Sequence, residues 1–457
     1  MYFAGTLYWL VETMTTFGGL QTWLALIAAA LLVGYLSLFP AAFAVIVARC
    51  YRSYRFAAYA LAPCIWVTTE LGRQYIWDGF PWALLGYSQV TALSVAQSAS
   101  VVGVYGLSWL VALVGAALAA LAIERGRTRW SLAVTVAVVV SVTTVWGSAR
   151  LKSSVLMSTG DPVRVAVIQG NILQDDKNAA YTGNTEVSDL ISQRYLDMTR
   201  QALAAGATFV MWPESSTPFY FERDLFRGGA IRRLAHEANA TLLIGSDQVE
   251  PVKASTVADK PQDLYYNAAF LVKPDGQVGA VYRKMHLVPF GEYVPLSSLL
   301  FFVGPIVEAV AAFTPGRDPV LLPIGTHLAS TAICYEVIFP NLIRRFVQDG
   351  SELLTTITND AWYGRTSAAY QHWDQASMRA IEQGRYLARA ANTGISGFVD
   401  PYGRVMQKTD LFQQAIVVGD LRFIKSRTIY SRIGDLAAWL SLAVTAAALL
   451  GTRRTVH

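Results

Sequence analysis

The chain is 457 residues long, 53% hydrophobic and only 15% charged, with a mean hydropathy of +0.35. Soluble globular chains carry more charge than that, so the composition points to a protein held in or anchored to a membrane. The net charge of +5 is modest and the basic residues form no single stripe, so nothing speaks for a nucleic-acid partner.

The apolar residues are unevenly spread. Residues 1–148 read as a transmembrane helical region of about five segments, the first incomplete. Residues 160–425 read as an ordinary soluble domain, and 431–451 as a last membrane helix. A spanning helix needs roughly 20 mostly apolar residues, which 22–48, 56–72, 98–122, 130–147 and 431–451 supply. Residues 1–14 (MYFAGTLYWLVETM) read as the second half of another helix, without a basic flank or the basic start of a cleavable signal peptide. Arg49, Arg52 and Arg55 follow the first full span, Arg125, Arg127 and Arg129 precede the fourth, and Arg453 and Arg454 end the chain. The positive-inside rule places these arginines in the cytoplasm and residues 150–430 on the outer side of the inner membrane, with six crossings in all. Of three cysteines, Cys50 then lies at the cytoplasmic face, Cys64 within a helix, and Cys334 alone in the outer domain. Outer domains usually pair their cysteines or avoid them, so Cys334 is a candidate reactive thiol.

Within the soluble domain, β-rich runs alternate with helical patterns. Strands are predicted at 163–168, 208–212, 241–245, 266–272, 278–282, 328–333, 353–357 and 394–399, with helices at 186–205, 228–238, 337–347 and 368–391. Pro274-Asp275-Gly276 marks a hairpin. Interleaved strands and helices make an α/β layered domain. Three predicted strand ends carry unexpected polar residues: Glu214 after TFVMW, Lys284 after VGAVYR and Cys334 after LASTAI. Each has a bland reading. A Glu or Lys at a strand end is more often simply solvated, and a lone Cys is more often a small buried hydrophobe. Their occurrence together is what suggests that a rigid scaffold holds them over one spot.

"MWPESSTPF", "YRKMHLVPFGEYVP" and "ICYEVIFP", in that order, resemble the Glu, Lys and Cys motifs of the carbon–nitrogen hydrolase (nitrilase) superfamily. With the membrane helices, and with "GFPWALLGYSQ", "AVIQGNILQ", "TNDAWYG" and "RAIEQGRYLARAANTGISGFVDPYG", the chain is similar to the apolipoprotein N-acyltransferase family over nearly its whole length. The resemblance implies a membrane α-helical bundle plus an extracytoplasmic α/β nitrilase-like domain, an α-β-β-α sandwich, facing the periplasm from a bacterial inner membrane. It implies transfer of a fatty acyl group from a phospholipid acyl donor to the amino terminus of diacylglyceryl-modified apolipoproteins, through a Cys thioester. Two departures stand out. The family has eight membrane helices against six here, which suggests an upstream start or a loss of two. The family often has a tryptophan after the "QGN" motif, where this chain offers Asn178.

The residues fit that chemistry. A thiol needs a base to become the nucleophilic thiolate, and Glu214, if its pKa is raised by burial, can take and return that proton. The Lys284 ammonium favours thiolate and can donate to the oxyanion of an attacked carbonyl, with a backbone N–H near Tyr335 as second donor. Glu292 could hold Lys284 in place and Glu336 could orient the cysteine loop; bracing of this kind competes evenly with a plain loop-capping role. Tyr335 and Trp362 are candidates to line the acyl channel, although size alone favours Trp362 in the core. His286 lacks a partner to orient it as a base, and His372, at a polar helix start, is read as structural. No metal or nucleotide motif is present, and no cofactor is expected. Residues 296–314 (LSSLLFFVGPIVEAVAAFT) are either a core helix or a lipid-touching arm. The same three residues would serve a membrane-tethered amidase that uses water, and an inactive membrane scaffold is the rival from outside catalysis.

Overall fold

The apolar runs fold as helices Thr22–Tyr54, Ala58–Tyr75, Ala99–Ile123, Thr128–Ser153 and Leu436–Arg454 in a computed structural model that describes residues 1–77, 79–251, 263–289, 291–293 and 313–454. The first apolar stretch, Thr22–Tyr75, is 54 residues long. As one helix it would measure about 80 Å, against a hydrocarbon layer of about 30 Å. It turns back instead at Arg55, whose φ is 51°, and the two arms pack on each other. At that turn the arginine-bearing ends gather: Tyr51 Oη donates to Glu124 Oε1 at 2.6 Å, Tyr54 Oη to the Ala448 carbonyl at 2.7 Å and Arg49 Nε to Thr452 Oγ1 at 2.8 Å.

The N-terminal segment differs from expectation. Residues 1–14 do not form half of a membrane helix; they break into short helices Tyr2–Thr6 and Trp9–Glu12 followed by a π-helical turn, Thr13–Phe17. Aromatic burial holds the break. The Trp9 ring is 5.2 Å from both Trp82 and Tyr363, and Gln371 Nε2 donates to the Thr6 carbonyl at 3.1 Å, so the segment lies against the α/β domain.

That domain is built on two six-stranded sheets. The first contains β1 (Asp161–Gln169), β2 (Phe209–Met211), β3 (Thr241–Pro251), β4 (Asp263–Val272), β5 (Val278–Arg283) and β12 (Ala415–Phe423), in the order β12-β1-β2-β3-β4-β5. The second contains β6 (Leu322–Ile324), β7 (His327–Ile333), β8 (Leu353–Thr358), β9 (Leu387–Ala391), β10 (Gly397–Val399) and β11 (Val405–Lys408), in the order β11-β10-β9-β8-β7-β6. Period-two alternation sorts the side chains. Val163, Val165 and Val167 of β1 join Leu354, Ala388 and Phe398 in the seam between the sheets. Ala166 and Ile168 face the other way, toward helices Thr185–Ala204 and Arg227–Glu237. Helices Pro340–Gln348 and Ser367–Gln383 cover the second sheet, which completes an α-β-β-α sandwich.

The predicted helix over 368–391 is corrected. It stops at Gln383 because Gly384 adopts a left-handed φ of 60°, and Leu387–Ala391 (LARAA) is β9, buried at every position. Alanine favours helix, but a buried place between β8 and β10 in a mixed sheet overrides so weak a preference.

The sandwich is locked to the membrane helices. Helix Ala99–Ile123 is broken at Gly103, where φ is 67° and an added Cβ would lie 2.4 Å from the Tyr430 ring. The amide freed there, Val104 N–H, is capped by Glu382 Oε1 of the Ser367–Gln383 helix at 2.8 Å. Arg379 Nε lies 3.2 Å from Glu382 Oε2 with both side chains fully buried, and Arg379 Nη2 donates to Tyr87 Oη at 2.9 Å. The apolar stretch 296–314 lies outside the described residues except for Phe313 and Thr314.

Candidate active site

Glu214, Lys284 and Cys334 follow β2, β5 and β7, and the facing of the two sheets brings these ends together. All three are buried, at 6%, 1% and 6% exposure. Lys284 Nζ lies 3.2 Å from Glu214 Oε1 and 2.8 Å from Glu292 Oε1. Asn267, in the middle of β4, donates from Nδ2 to the same two oxygens at 2.7 and 2.9 Å. The backbone completes the cradle: Asn359 N–H donates to Glu214 Oε2 and Val288 N–H to Glu292 Oε2, each at 2.8 Å. Glu292 therefore contacts Lys284 directly.

Electrostatics divide the roles. Burial alone would raise the Glu214 carboxyl, but Lys284, the Asn267 amide and the Asn359 N–H outweigh it and hold the group below the usual carboxylate range. This reverses the expectation of a raised Glu214: donors to the charged form beat desolvation. Burial would lower the Lys284 ammonium, but Glu214 and Glu292 outweigh it and keep the lysine charged. Burial pushes the Cys334 thiol up and the Glu214 charge adds to this, with Lys284 opposing. At rest the site is thus carboxylate, ammonium and thiol, a base already ionised beside an acid that still carries its proton.

Cys334 sits on a left-handed residue, φ 52°, at the start of the short 3-10 turn Cys334–Ile338. Glu336 pins that turn. Its Oε2 accepts Ile333 N–H at 2.8 Å, and its Oε1 accepts Met285 N–H at 2.6 Å, His286 N–H at 3.1 Å and Tyr282 Oη at 2.8 Å. Glu336 therefore fastens the cysteine loop to the loop that carries Lys284. Burial pushes its carboxyl up to about 7.

Tyr335 is buried and reaches the membrane part. Its Oη lies 3.4 Å from the Gly79 carbonyl, its ring is 6.5 Å from Phe80 and 5.3 Å from Phe339. The "GFPW" segment so forms part of the roof over the site. Trp362 is not a core residue: it is 40% exposed on the turn Asp360–Tyr363, where size alone would have buried it. Among the described residues the His286 side chain makes no hydrogen bond to the cluster, and its ring stacks on Phe339 at 4.3 Å.

Several residues of the site carried no clear signal. Asn178 is exposed, and its neighbour Lys177 is, with Ala180, one of two buried members of helix Gln174–Tyr181, 2% exposed. Lys177 Nζ has no hydrogen-bond partner among the described residues; burial lowers it to about 8, against the pull of Glu214 and Asp247. Asp247 pairs in register with Asn267 and accepts Ser215 Oγ at 3.1 Å. Behind Cys334 lies a buried set of Asp360, His372 and Arg389, so His372 is structural in a more specific way than its sequence context indicates. Among the described residues no cluster of three or more His, Cys, Asp or Glu is gathered as a metal site would require.

Residues 164–428 match the carbon–nitrogen hydrolase family, and residues 1–117 the N-terminal domain of apolipoprotein N-acyltransferase. The chain is 38% identical to the apolipoprotein N-acyltransferase of Geobacter metallireducens, over 100% of this chain and 86% of that one. It is 34% identical to the enzyme of the same name from Methylococcus capsulatus, over 94% and 81%. A nitrilase-superfamily amidase from Nesterenkonia AN1 matches at 22% identity and a TM-score of 0.44, over 63% of this chain and 99% of that one.

Proposed function

Because the chain belongs to the apolipoprotein N-acyltransferase family, we propose that Glu214, Lys284 and Cys334 carry its acyl transfer, from a membrane phospholipid to the terminal amine of a diacylglyceryl-modified lipoprotein. The observation that carries this reading is the convergence of three buried strand ends in which an ionised carboxylate and a retained ammonium both act on one thiol.

In the first half-reaction Glu214 takes the thiol proton as Sγ attacks the ester carbonyl. The oxyanion is met by Lys284 Nζ and the Tyr335 N–H; losing one such donor typically slows a reaction about 100- to 1,000-fold. The ester C–O bond breaks, the lysophospholipid oxygen takes the proton from Glu214, and Cys334 is left as a thioester. In the second, the neutral amine of the acceptor, whose pKa as an α-amine is about 8, attacks the thioester. The C–S bond breaks, and the amine proton returns through Glu214 to the thiolate. Glu292 and Glu336 keep Lys284 and the cysteine turn in register, and Tyr335 and Trp362 border the acyl path. Both substrates are lipids, which accounts for a nitrilase-like domain tied to membrane helices. The arginine-bearing helix ends meet at the side away from the site, which supports a catalytic domain on the periplasmic face of the inner membrane.

Intact-mass measurement of the membrane protein after incubation with phospholipid alone tests the reading. A hydroxylamine-labile gain of one fatty acyl group is expected in the wild type and absent in Cys334→Ala. A folded wild type that gains no adduct, or a gain that survives Cys334→Ala, overturns it.

A further inference from the structure

His372 is fully buried, and its Nε2 lies 3.0 Å from the main-chain carbonyl of Cys334. Its other nitrogen, Nδ1, is 2.9 Å from Arg389 Nη2 and 3.1 Å from Asp360 Oδ1. Arg389 Nη2 also donates to Asp360 Oδ2 at 2.8 Å, and Thr358 Oγ1 donates to Asp360 Oδ1 at 2.7 Å. Asp360, His372 and Arg389 are each 1% exposed or less. The donors and acceptors close in only one way for a neutral ring. A carbonyl oxygen can only accept, so Nε2 carries the proton. Nδ1 is then an acceptor and takes the Arg389 N–H, while Asp360 is satisfied by Arg389 and Thr358. Burial, with Arg389 next, keeps the imidazole neutral. The rings of Trp82 and Tyr363 pack against it, with centroids at 5.7 and 5.9 Å.

A histidine whose acidic N–H is spent on a backbone carbonyl is no base for the thiol. What it fixes is a peptide plane. The Cys334 carbonyl and the Tyr335 N–H belong to one planar trans unit and point in opposite directions. Holding the carbonyl on the His372 side aims the Tyr335 N–H to the other side. The plane needs holding, because Cys334 has the left-handed φ of 52° that non-glycine residues rarely adopt. We propose that His372, locked in its Nε2–H form by Arg389 and Asp360, is a positioning residue that orients the Cys334–Tyr335 peptide so that the Tyr335 N–H serves as an oxyanion donor. The inference rests on Cys334 being the nucleophile.

Two rates on the full-length enzyme separate this from a general structural role. Formation of the Cys334 thioester from phospholipid passes through an oxyanion. Alkylation of Cys334 by iodoacetamide, mapped by peptide mass, needs the thiolate but no oxyanion. A glutamine amide can reach where Nε2 lies; an asparagine amide, one methylene shorter, cannot. His372→Gln is expected to acylate within about threefold of wild type, and His372→Asn about 10- to 100-fold more slowly, less than the loss of a whole oxyanion donor because the N–H is misaimed rather than removed. Alkylation rate and its pH profile stay unchanged in both. The proposal is overturned if His372→Asn acylates at the native rate, if both rates fall in parallel, or if the alkylation profile shifts along pH. Should His372→Asn fail to fold, Asp360→Asn, which removes the charge holding Arg389 on the ring, is read on the two rates alone, because the Asp360 charge also raises the Cys334 thiol and its loss moves the alkylation profile by itself: slower acylation without slower alkylation is expected, and native acylation or a parallel fall in both rates overturns the proposal. A wild type that forms no thioester at all sinks the nucleophile assignment instead, before any variant is compared.

Discussion

Lys177 shows what a single buried charge does to this molecule. Its Nζ has no partner among the described residues at 2% exposure, and burial brings its pKa down to about 8. An unfolded lysine titrates near 10.4. Below pH 8 both states carry the charge and the folded state bears its full desolvation cost. Between about pH 8 and 10 the folded state sheds the proton while the unfolded state keeps it, so stability rises with pH across that window. The whole difference is on the order of 3 kcal/mol. Lys177→Met is expected to raise the Tm at pH 7 and to flatten the rise between pH 8 and 10, measured by thermal unfolding in detergent. A variant that keeps the wild-type slope contradicts the assignment. The residues of the site were legible to the extent that they interrupt a pattern. Glu214, Lys284 and Cys334 end apolar runs, and Glu292 and Glu336 stand in motifs beside them. Asn267 and Arg389 also interrupt apolar strands, in YYNAAFL and LARAA, which says that each must find a partner inside. Which partner is a tertiary fact: Asp360 lies 29 residues from Arg389 along the chain, and no local spacing encodes that pair.

At the level of elements, the break at Gly103 matters most. A helix interrupted inside protein leaves amides that must be satisfied, and here the cap comes from another domain, through Glu382 on Val104 N–H at 2.8 Å. The same carboxylate faces Arg379 with both side chains wholly buried. Taking away one partner of a buried ion pair typically costs about 3–5 kcal/mol. Glu382→Ala is therefore expected to destabilise the protein by that order and to loosen the α/β domain from the helices, seen as faster proteolysis between residues 148 and 163. Glu382→Gln, which can still accept from Val104, is expected to lose less. Apolar length located all five long helices but left their ends up to six residues off, since hydrophobic runs and membrane thickness fix the middle of a span rather than its caps. It did not reveal that residues 1–14 break up, because that depends on Trp9 finding the Trp82 and Tyr363 rings. Nor did it reveal β12, which packs half-exposed beside β1 and lacks a clean alternation.

For the whole molecule, the placement of arginine-rich ends at one side and the site at the other sets an orientation that labelling can check. Arg127 and Gln407 are both exposed, on opposite parts of the chain. In intact cells with a permeabilised outer membrane, a membrane-impermeant maleimide is expected to label Gln407→Cys and not Arg127→Cys. The reverse pattern would place the catalytic domain in the cytoplasm.

β1 and β12 leave the first sheet side by side. Asp161, where the chain enters the α/β domain, pairs with Phe423, where it departs, and the ladder runs from there to Gln169 and Ala415. The helices on either side, Thr128–Ser153 and Leu436–Arg454, therefore tug on two neighbouring strands from the same end. Mechanically this is the geometry of a zipper rather than of a lap joint. A sideways pull in the bilayer would part the ladder one pair at a time, starting at the membrane. The far end, where Gln169 binds the Ser396 and Thr409 hydroxyls at 2.6 and 2.7 Å, would be the last to feel it.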